Sequence, residues 1–335
     1  MKNIGKQTVQ LAVPVSIDCT YSIVGPKEAQ GPLSKFFDNT IQDAFFGEST
    51  WEKAESKLNS ASINGCICKS TKSVSDINYI LAGDLLNQCI ASTFAIRDTN
   101  IPFFGLFGAC STMIESMSLG SMLIDGEFAN NVLCCTSSHF CSAEKQFRFP
   151  LELGSQRPPS AQWTVTGAAS ALLSNSGNGP KITHVTTGKI VDMGITDANN
   201  MGAAMAPAAA NTLKTHFDDT GRKPDYYDLI LTGDLGYIGH DIVKDILKAD
   251  NYDLSKNYND CGILMFDREK QDTHSGGSGC ACIGTVFASY IYNQLQFKKI
   301  NKLLLVGTGA LMNATSCQQK ESIPGIAHAI SIENI

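Results

Sequence analysis

The chain of 335 residues is 43% hydrophobic and 17% charged and contains 29 glycines, a composition typical of a folded globular protein with a large core. Its formal net charge of −6 and the lack of any long Lys/Arg run exclude nucleic acid as an expected partner, because a phosphate backbone requires a basic face. The 12 cysteines show no CxxC pairs and no histidines at zinc-site spacing, which predicts small buried side chains in a reducing compartment and no metal.

Two apolar segments raise the question of a leader or a membrane span. The stretch from Leu11 to Ile17 contains Pro14 and lacks a basic region and a small-residue cleavage site, so we predict no signal peptide. The uncharged stretch from Ser275 to Phe297 is long enough to cross a bilayer, but its glycines, asparagine and glutamines favour a helix buried in a soluble core.

Distant segments of the chain predict the same strand, turn and helix. Tyr79-Ile-Leu-Ala-Gly-Asp-Leu85 matches Leu229-Ile-Leu-Thr-Gly-Asp-Leu235, and helical patterns follow at residues 86–97 and 242–249. Gly108-Ala-Cys-Ser111 and Gly279-Cys-Ala-Cys282 each open an apolar helix, and each helix is followed by an asparagine and an apolar strand. These matches predict an α/β fold in which a βαβαβ unit is duplicated around a mixed sheet. The alternative is two unrelated domains with similar junctions.

The boundary between the predicted halves lies in a run of Ser, Asn and Gly from Ser174 to Pro180. We therefore predict an N-terminal half at residues 1–175, which carries Cys110 and the excursion from His139 to Thr164, and a C-terminal half at residues 176–335. The small-residue segment 203–210 indicates either a close helix contact or a loop near a ligand.

The turn around Cys110 is the strongest candidate for a functional site. Residues 103–107 predict a short buried strand, and Gly108-Ala-Cys-Ser-Thr112 leads directly into an apolar helix that ends at Asp125. Cys110 is thus expected at a helix N-terminus, where free amides and the helix dipole lower the pKa of a thiol and attract anions. This position suits a thiolate nucleophile or a carboxylate site, and an inert buried cysteine is the structural alternative.

With the duplicated halves, this turn resembles the thiolase and ketoacyl synthase superfamily, whose nucleophilic cysteine lies in such a turn. The resemblance implies a thiolase-like fold with a central layer of buried helices, and Gly307-Thr-Gly-Ala-Leu-Met312 looks like the turn that closes the superfamily's active site. Those enzymes take a histidine from the C-terminal half, whereas this chain has Gly277-Ser-Gly-Cys280 and Thr232-Gly-Asp234 there. An acid near the thiol opposes acyl transfer. Asp84 and Asp234 are otherwise expected to cap helices.

A longer set of motifs resembles one family within this superfamily, the stage V sporulation protein AD family. The motifs are Gly25-Pro-Lys-Glu28, Ala82-Gly-Asp-Leu-Leu-Asn87, Phe107-Gly-Ala-Cys-Ser111, Thr136-Ser-Ser-His139, Gln146-Phe-Arg148, Met205-Ala-Pro-Ala-Ala209, Gly276-Gly-Ser-Gly-Cys-Ala281 and Ile326-Ala-His328. The resemblance implies non-catalytic binding of dipicolinic acid for its uptake into the developing spore, without a cofactor.

The same resemblance implies partners and a location. Other stage V sporulation membrane proteins are the expected partners, and the expected location is the cytoplasmic face, peripherally on the spore inner membrane. A homodimer is expected through an edge strand near Cys134 and the excursion from His139 to Thr164.

Dipicolinate is a flat pyridine dicarboxylate, so its site needs donors for two carboxylates. We expect the amides at Cys110, Ser111 and Thr112 to hold one carboxylate and Arg148 to bind the other in a bidentate manner. His139, just after a predicted strand, is expected to donate to a carboxylate oxygen.

The ring of the ligand needs an apolar surface, which Phe147 or Phe149 would provide. The hydroxyls of Ser278 and Thr308 are weaker candidates for polar contacts.

The same residues also fit other functions. In an acyl-transferring enzyme, Cys110 would be the nucleophile and His139 its base. In a scaffold, the pocket would be vestigial and the role would lie in a surface contact with membrane partners. His139 could equally be a satisfied loop histidine, and Arg148 could pair with Glu144 or Glu152.

Overall fold

The computed structural model of the protein describes residues 2–147 and 156–335, and a large mixed sheet dominates it. Its strands in chain order are β1 (Thr8–Val24), β2 (Asn39–Thr40), β3 (Tyr79–Gly83), β4 (Phe103–Gly105), β5 (Asn131–Ser138), β6 (Trp163–Thr164), β7 (Gly167–Ser174), β8 (Lys181–Thr186), β9 (Leu229–Thr232), β10 (Tyr258–Asp260), β11 (Gly277–Ser278), β12 (Lys302–Ala310) and β13 (Gly325–Glu333). The α-helices are α1 (Trp51–Lys69), α2 (Ile90–Ile96), α3 (Thr112–Asp125), α4 (Phe140–Phe147), α5 (Met201–Thr220), α6 (Gly236–Ala249), α7 (Cys261–Met265), α8 (Cys280–Val286), α9 (Tyr292–Gln296) and α10 (Ala314–Gln318).

The order of the strands repeats in the two halves of the sheet. The sheet runs β10-β9-β12-β13-β8-β1-β7-β5-β3-β4, with β2 beside β1, while β6 and β11 form a separate parallel pair. β3 is parallel to β4 and β5, and β5, β7 and β1 follow antiparallel. β9 is likewise parallel to β10 and β12, and β12, β13 and β8 follow antiparallel. The predicted α/β class with duplicated units is therefore confirmed.

The long strand β1 joins the two sets of five strands. It pairs with β7 along residues 16–24 and with β8 at residues 8–10 and 15–16, with a register shift between Gln10 and Val15. The segment 175–180, where the sequence predicts a hinge, connects β7 to β8 and so passes from one side of β1 to the other.

Two helices lie between the inner faces of the sheet. α3 contacts β1 and β5 as well as β12 and β13, and α8 contacts β5, β7 and α3. Met113, Ile114 and Met117 of α3 are fully buried, as is every residue of α8, because both helices are surrounded by sheet. α1 and α2 cover the outer face of the N-terminal strands, and α5 covers that of β12 and β13 with α6 packed against it.

The pattern of buried residues explains why α1 packs where it does. Ala54, Leu58, Ser62 and Cys66 recur every fourth residue and are buried, which gives the helix one continuous face against β1 and β7. The side chain of Thr50 caps the helix by accepting the amide of residue 53.

Two helices begin at residues other than those that the sequence predicts. α2 begins at Ile90 rather than at residue 86, because Gln88 and Cys89 have positive φ angles of 57° and 51°. Asp84 accepts the amide of Ser92 at 2.8 Å and so caps α2 as predicted. α6 begins at Gly236, six residues before the predicted start at 242.

The uncharged stretch 275–297 lies inside the protein, as predicted. It forms β11, α8, a π-helical turn at Phe287–Ile291 and α9, and most of its residues are buried. Within residues 2–147 and 156–335, no helix is both long and apolar enough to cross a membrane.

The small-residue segment 203–210 belongs to α5. It is therefore a close helix contact and not a loop near a ligand. Gly202 and Gly239 bring α5 and α6 together, since a Cβ atom at position 239 would lie 2.6 Å from the carbonyl oxygen of Gly202.

The edge strand expected near Cys134 is a different strand in the structure. β5, which contains Cys134, is paired on both sides by β3 and β7. The edge on this side of the sheet is β4, so the prediction of an edge strand at Cys134 is wrong.

Candidate functional site

The turn before α3 places Cys110 in a strained, tightly held conformation. Ala109 has a φ of 50°, in the left-handed region that few residues with a side chain adopt. The Thr112 hydroxyl accepts the amide of Gly108 at 3.1 Å and donates to the carbonyl of Ala109 at 2.7 Å. Gly309 of β12 lies against this turn, where a Cβ atom would be 2.3 Å from the Gly108 oxygen. Residues 307–310, predicted as a closing turn, are therefore part of a strand that supports the turn.

Two of the three amides expected to hold a carboxylate, those of Ser111 and Thr112, are used within the turn itself. Ser111 donates its amide to Gly108 O at 3.1 Å, and Thr112 donates its amide to Ala109 O at 3.3 Å. Both side chains are fully buried, and the Ser111 hydroxyl also donates to Gly108 O at 2.7 Å. The predicted anion cradle at Ser111 and Thr112 is thus wrong, because short-range bonds at the helix start satisfy these donors.

A buried acid, Asp234, lies at the centre of the site. One carboxylate oxygen accepts the Thr308 hydroxyl at 2.6 Å, and the other accepts the Ser278 hydroxyl at 2.7 Å and the Gly279 amide at 3.1 Å. The Ser278 oxygen lies 3.9 Å from the sulfur of Cys110. Three residues predicted from the sequence, Cys110, Ser278 and Thr308, are therefore brought together, and Asp234 is what connects them.

Asp234 is not the helix cap that the sequence predicts. The amides of Leu235 and Gly236, at the start of α6, donate instead to Asp260 at 3.0 and 2.9 Å. Asp260 is the last residue of the neighbouring strand β10. Because Asp260 caps α6, the carboxylate of Asp234 is not needed as a cap and points at Cys110.

The electrostatics of the site keep the thiol protonated. Burial, reinforced by the carboxylate of Asp234, raises the pKa of Cys110 well above its usual range. Burial also raises the pKa of Asp234, although the hydroxyls of Thr308 and Ser278 and the thiol of Cys110 oppose this by donating to it. The lowered thiol pKa expected at a helix N-terminus is therefore wrong, because desolvation and a nearby acid outweigh the helix dipole.

A cavity of about 40 Å³ opens in front of Cys110. The described residues that line it are Leu85, Phe107, Ala109, Cys110, Glu144, Phe147, Gln162, Thr164, Ala198, Asn199, Met201, Ser278, Ala310 and Met312. The lining residues include two phenylalanines and two methionines as well as Cys110 and Ser278. Such a space suits a small molecule with an apolar face and polar groups at one end.

The remaining predicted contacts separate into three groups. Phe147 lines the cavity. His139 is fully buried and does not line the described cavity; one ring nitrogen bonds the carbonyl of Ala44 at 2.7 Å and the other accepts the amide of Cys141 at 3.2 Å. Burial lowers the pKa of His139. The proposed contacts Arg148 and Phe149 lie outside the described residues.

Gln162 and Thr164 line the cavity, although no sequence motif points to either residue. Gln162 donates its side-chain amide to the carbonyls of Asp234 and Gly277, and its buried amide oxygen has no hydrogen-bond partner among the described residues. Thr164 donates to the carboxylate of Glu144 at 3.2 Å. The pairing of β6 with β11, 114 residues apart at Trp163 and Gly277, brings this segment beside Ser278.

The fold and the site together define a thiolase-like protein in which an acid stands beside the cysteine. The structure is similar to 3-oxoacyl-[acyl-carrier-protein] synthase III from Aquifex aeolicus VF5, with a TM-score of 0.55, 11% identity and coverage of 95% of this chain and 99% of that one. It is also similar to cerulenin-bound OleA from Xanthomonas campestris, with a TM-score of 0.59, 13% identity and coverage of 96% of each chain. At these identities the likeness concerns the fold.

Sequence comparison defines the family more narrowly. Residues 5–333 match the family model of Stage V sporulation protein AD (SpoVAD). The chain is also 46% identical to Stage V sporulation protein AD of Bacillus subtilis (strain 168) over 333 residues, which cover 99% of this chain and 98% of that protein. The chain belongs to the SpoVAD family of sporulation proteins, as its motifs predict.

Proposed function

We propose that this SpoVAD protein binds dipicolinic acid in the cavity beside Cys110 and does so without catalysis, for uptake of the acid into the developing spore. The observation that carries the proposal is the composition of the cavity, whose lining combines Phe107 and Phe147 with Cys110 and Ser278. Aromatic rings suit the faces of a pyridine. Cys110 and Ser278 donate their protons to Asp234, so the carboxylates of the ligand need donors from elsewhere.

The state of the cysteine supports binding rather than acyl transfer. A thiol nucleophile needs a base that removes its proton and donors that stabilise an oxyanion. Cys110 has a carboxylate beside it instead, its pKa is raised, and no histidine lines the described part of the cavity. Asp234 therefore favours the neutral thiol, which donates to that carboxylate.

Recognition of a dicarboxylate also requires positive charge. The described residues of the lining include Glu144 but no Lys, Arg or His. We assign the neutralising role to Arg148, which follows Phe147 directly in the chain, since a guanidinium binds a carboxylate with two parallel hydrogen bonds.

The wall of the cavity can adapt to the shape of a ligand. Met201 and Met312 lie on it, and their unbranched side chains change rotamer at low cost.

Titration calorimetry with dipicolinate tests the proposal directly. We expect saturable binding by the unaltered protein and a loss of roughly 10- to 100-fold in affinity for Arg148→Ala, since a hydrogen bond to a charged group contributes about 1.5–3 kcal/mol. Arg97→Ala, at a side chain that is 60% exposed, is the matched control and should bind normally. No heat with the unaltered protein would end the proposal.

Acyl transfer is the competing function, because Cys110 lines a cavity in a fold shared with synthases. Incubation with acetyl- or malonyl-CoA followed by mass spectrometry of the intact protein distinguishes the two. We expect no adduct, and an acyl group on Cys110 would favour the enzyme.

We also propose a homodimer formed by the edge strand β4. Phe104 and Phe107 are about half exposed, at 50% and 49%, and Phe94 of the adjacent α2 is 49% exposed. No other described strand pairs with the outer edge of β4, and this edge and the apolar surface fit a second copy of the chain, whose β4 would extend the sheet.

Size-exclusion chromatography with light scattering tests the dimer. Phe104→Asp should shift the protein to the mass of a monomer, because an unpaired charge in the contact cannot be desolvated without cost. Phe297→Asp, at a ring that is 73% exposed elsewhere, should leave the dimer intact. A monomeric unaltered protein would contradict this part of the proposal.

Peripheral attachment to membrane proteins of the same sporulation stage, at the cytoplasmic face of the spore inner membrane, completes the proposed function. It follows from the family and predicts that sporulating cells carrying Arg148→Ala assemble the membrane complex but accumulate less dipicolinate. Normal dipicolinate in such spores would favour a scaffold with a vestigial pocket.

A further inference from the structure

Two thiols, those of Cys19 and Cys66, lie outside the cavity, where α1 packs on β1. The sulfur atoms of Cys19 and Cys66 are 3.4 Å apart, and both thiols are free. Each sulfur also faces the other residue's backbone, with Cys19 Sγ donating to Cys66 O at 3.3 Å and Cys66 Sγ lying 3.8 Å from Cys19 O. The two side chains therefore point directly at each other.

The surroundings allow the small movement that a covalent bond between these sulfurs requires. A disulfide holds its sulfurs about 2.05 Å apart, so the pair must approach by about 1.4 Å. Cys19 directly follows an irregularity in β1, where the register against β7 shifts between Ile17 and Cys19. Cys66 lies three residues from the end of α1. Both backbone segments are thus less constrained than the middle of a strand or helix.

We propose that Cys19 and Cys66 are an oxidation site, at which a peroxide converts the two thiols into an intrachain disulfide that ties α1 to β1. One thiolate sulfur attacks the peroxide, takes one oxygen to become a sulfenic acid, and the other oxygen leaves as water. The second thiol then displaces hydroxide from the sulfenic acid, which gives the disulfide and a second water. The two sulfurs lose two electrons in total, and the peroxide gains them.

The two cysteines differ in solvent exposure, and this difference assigns the order in which they react with the peroxide. Cys19 keeps 7% of its surface exposed, whereas Cys66 is fully buried. The contact with Cys19, together with burial, raises the pKa of the Cys66 thiol and makes it the poorer first nucleophile. Cys19 is therefore the peroxidatic residue and Cys66 the resolving one. The exposed Cys68, two residues along the same helix, is the internal comparison.

Peptide mapping tests the assignment without any substitution. The purified protein is treated with hydrogen peroxide, its remaining thiols are blocked with iodoacetamide, and it is digested without reductant. We expect a linked pair of peptides carrying residues 19 and 66, lighter by two hydrogens than their sum and separated by dithiothreitol. Recovery of both peptides with blocked thiols, or with Cys66 joined to another cysteine, would overturn the proposal.

Variants add a second readout. Oxidation should raise the unfolding temperature of the unaltered protein and of Cys68→Ser by a few degrees, because the cross-link closes a loop of 47 residues. Cys19→Ala and Cys66→Ala should show no such rise, while their spectra before oxidation report whether they fold. An equal rise in all four proteins would contradict the site.

Discussion

The carboxylate of Asp234 joins the side chains of Cys110, Ser278 and Thr308 into one buried cluster. The sequence motifs point to these three residues. The role of Asp234 was missed because its carboxylate lies at a strand end, where a helix cap is the ordinary expectation. The cap of α6 comes from Asp260, 26 residues later, and local sequence reasoning cannot see such a contact.

The influence of Asp234 on the thiol gives a direct prediction. Asp234→Asn removes the negative charge that helps to raise the pKa of Cys110, so the thiolate fraction at pH 8 should increase. We expect alkylation of Cys110 by iodoacetamide to become about tenfold faster, as followed by peptide mass spectrometry.

The exposed Cys68 serves as the internal standard for this measurement. Its alkylation rate should be the same in both proteins, and circular dichroism should report the same fold. Equal rates at Cys110 would mean that burial alone controls the thiol.

At the scale of the elements, local signals placed strands accurately and helix starts poorly. The segments 79–85 and 229–235 were predicted as strand and turn from their apolar runs, and they contain β3 and β9. The start of α2 was missed because left-handed residues at Gln88 and Cys89 have no glycine to mark them.

Asp260 caps α6 from a fully buried position. Asp260 accepts three amides, those of Leu235, Gly236 and Gly262, and the hydroxyl of Thr232 at 2.7 Å. Asp260→Ala leaves these buried donors without a partner, so the free energy of unfolding should fall by about 3–5 kcal/mol in urea titrations.

A cap on the surface provides the comparison. Asn313 caps α10 by accepting the amide of Ser316 at 2.8 Å, and both residues are more exposed than Asp260. Asn313→Ala should cost only about 1 kcal/mol, because water replaces the lost acceptor. Similar losses for the two variants would show that burial of the cap is unimportant.

At the scale of the whole molecule, the repeated segments predicted the arrangement that the sheet adopts. They could not predict the cavity, because its wall combines residues from α4, the β6 region, the segment before α5 and the end of β12. Such a convergence depends on packing between distant segments, whereas a motif reports only its own neighbourhood.

Buried acids determine how the stability of the molecule depends on pH. Burial, with the nearby Asp84 carboxylate, raises the pKa of Glu55 to about 8, while Ser142 and Ser137 donate to it. Because the folded protein holds this proton more tightly than the unfolded chain, the contribution of Glu55 is complete below about pH 4.5 and is lost as pH rises toward 8.

Glu55→Gln should therefore become progressively more stable relative to the unaltered protein between pH 5 and pH 8. The difference should grow by at most ~1.4 kcal/mol per pH unit, measured by urea unfolding at a series of pH values. Glu269→Gln, at an exposed position, should follow the unaltered protein throughout. A difference that stays flat with pH would show that Glu55 is ionised in the folded state.

The strand β1 pairs with β7 on one side and with β8 on the other, so the two halves of the sheet depend on each other. A polypeptide cut after residue 175 yields one piece that retains β1 and another in which β8 keeps β13 but has lost β1. The C-terminal piece would present the unpaired backbone edge of β8 and precipitate when produced alone. Produced together in one cell, the two pieces should reassemble into a soluble, nicked protein, because pairing of β1 with β8 restores the continuous sheet.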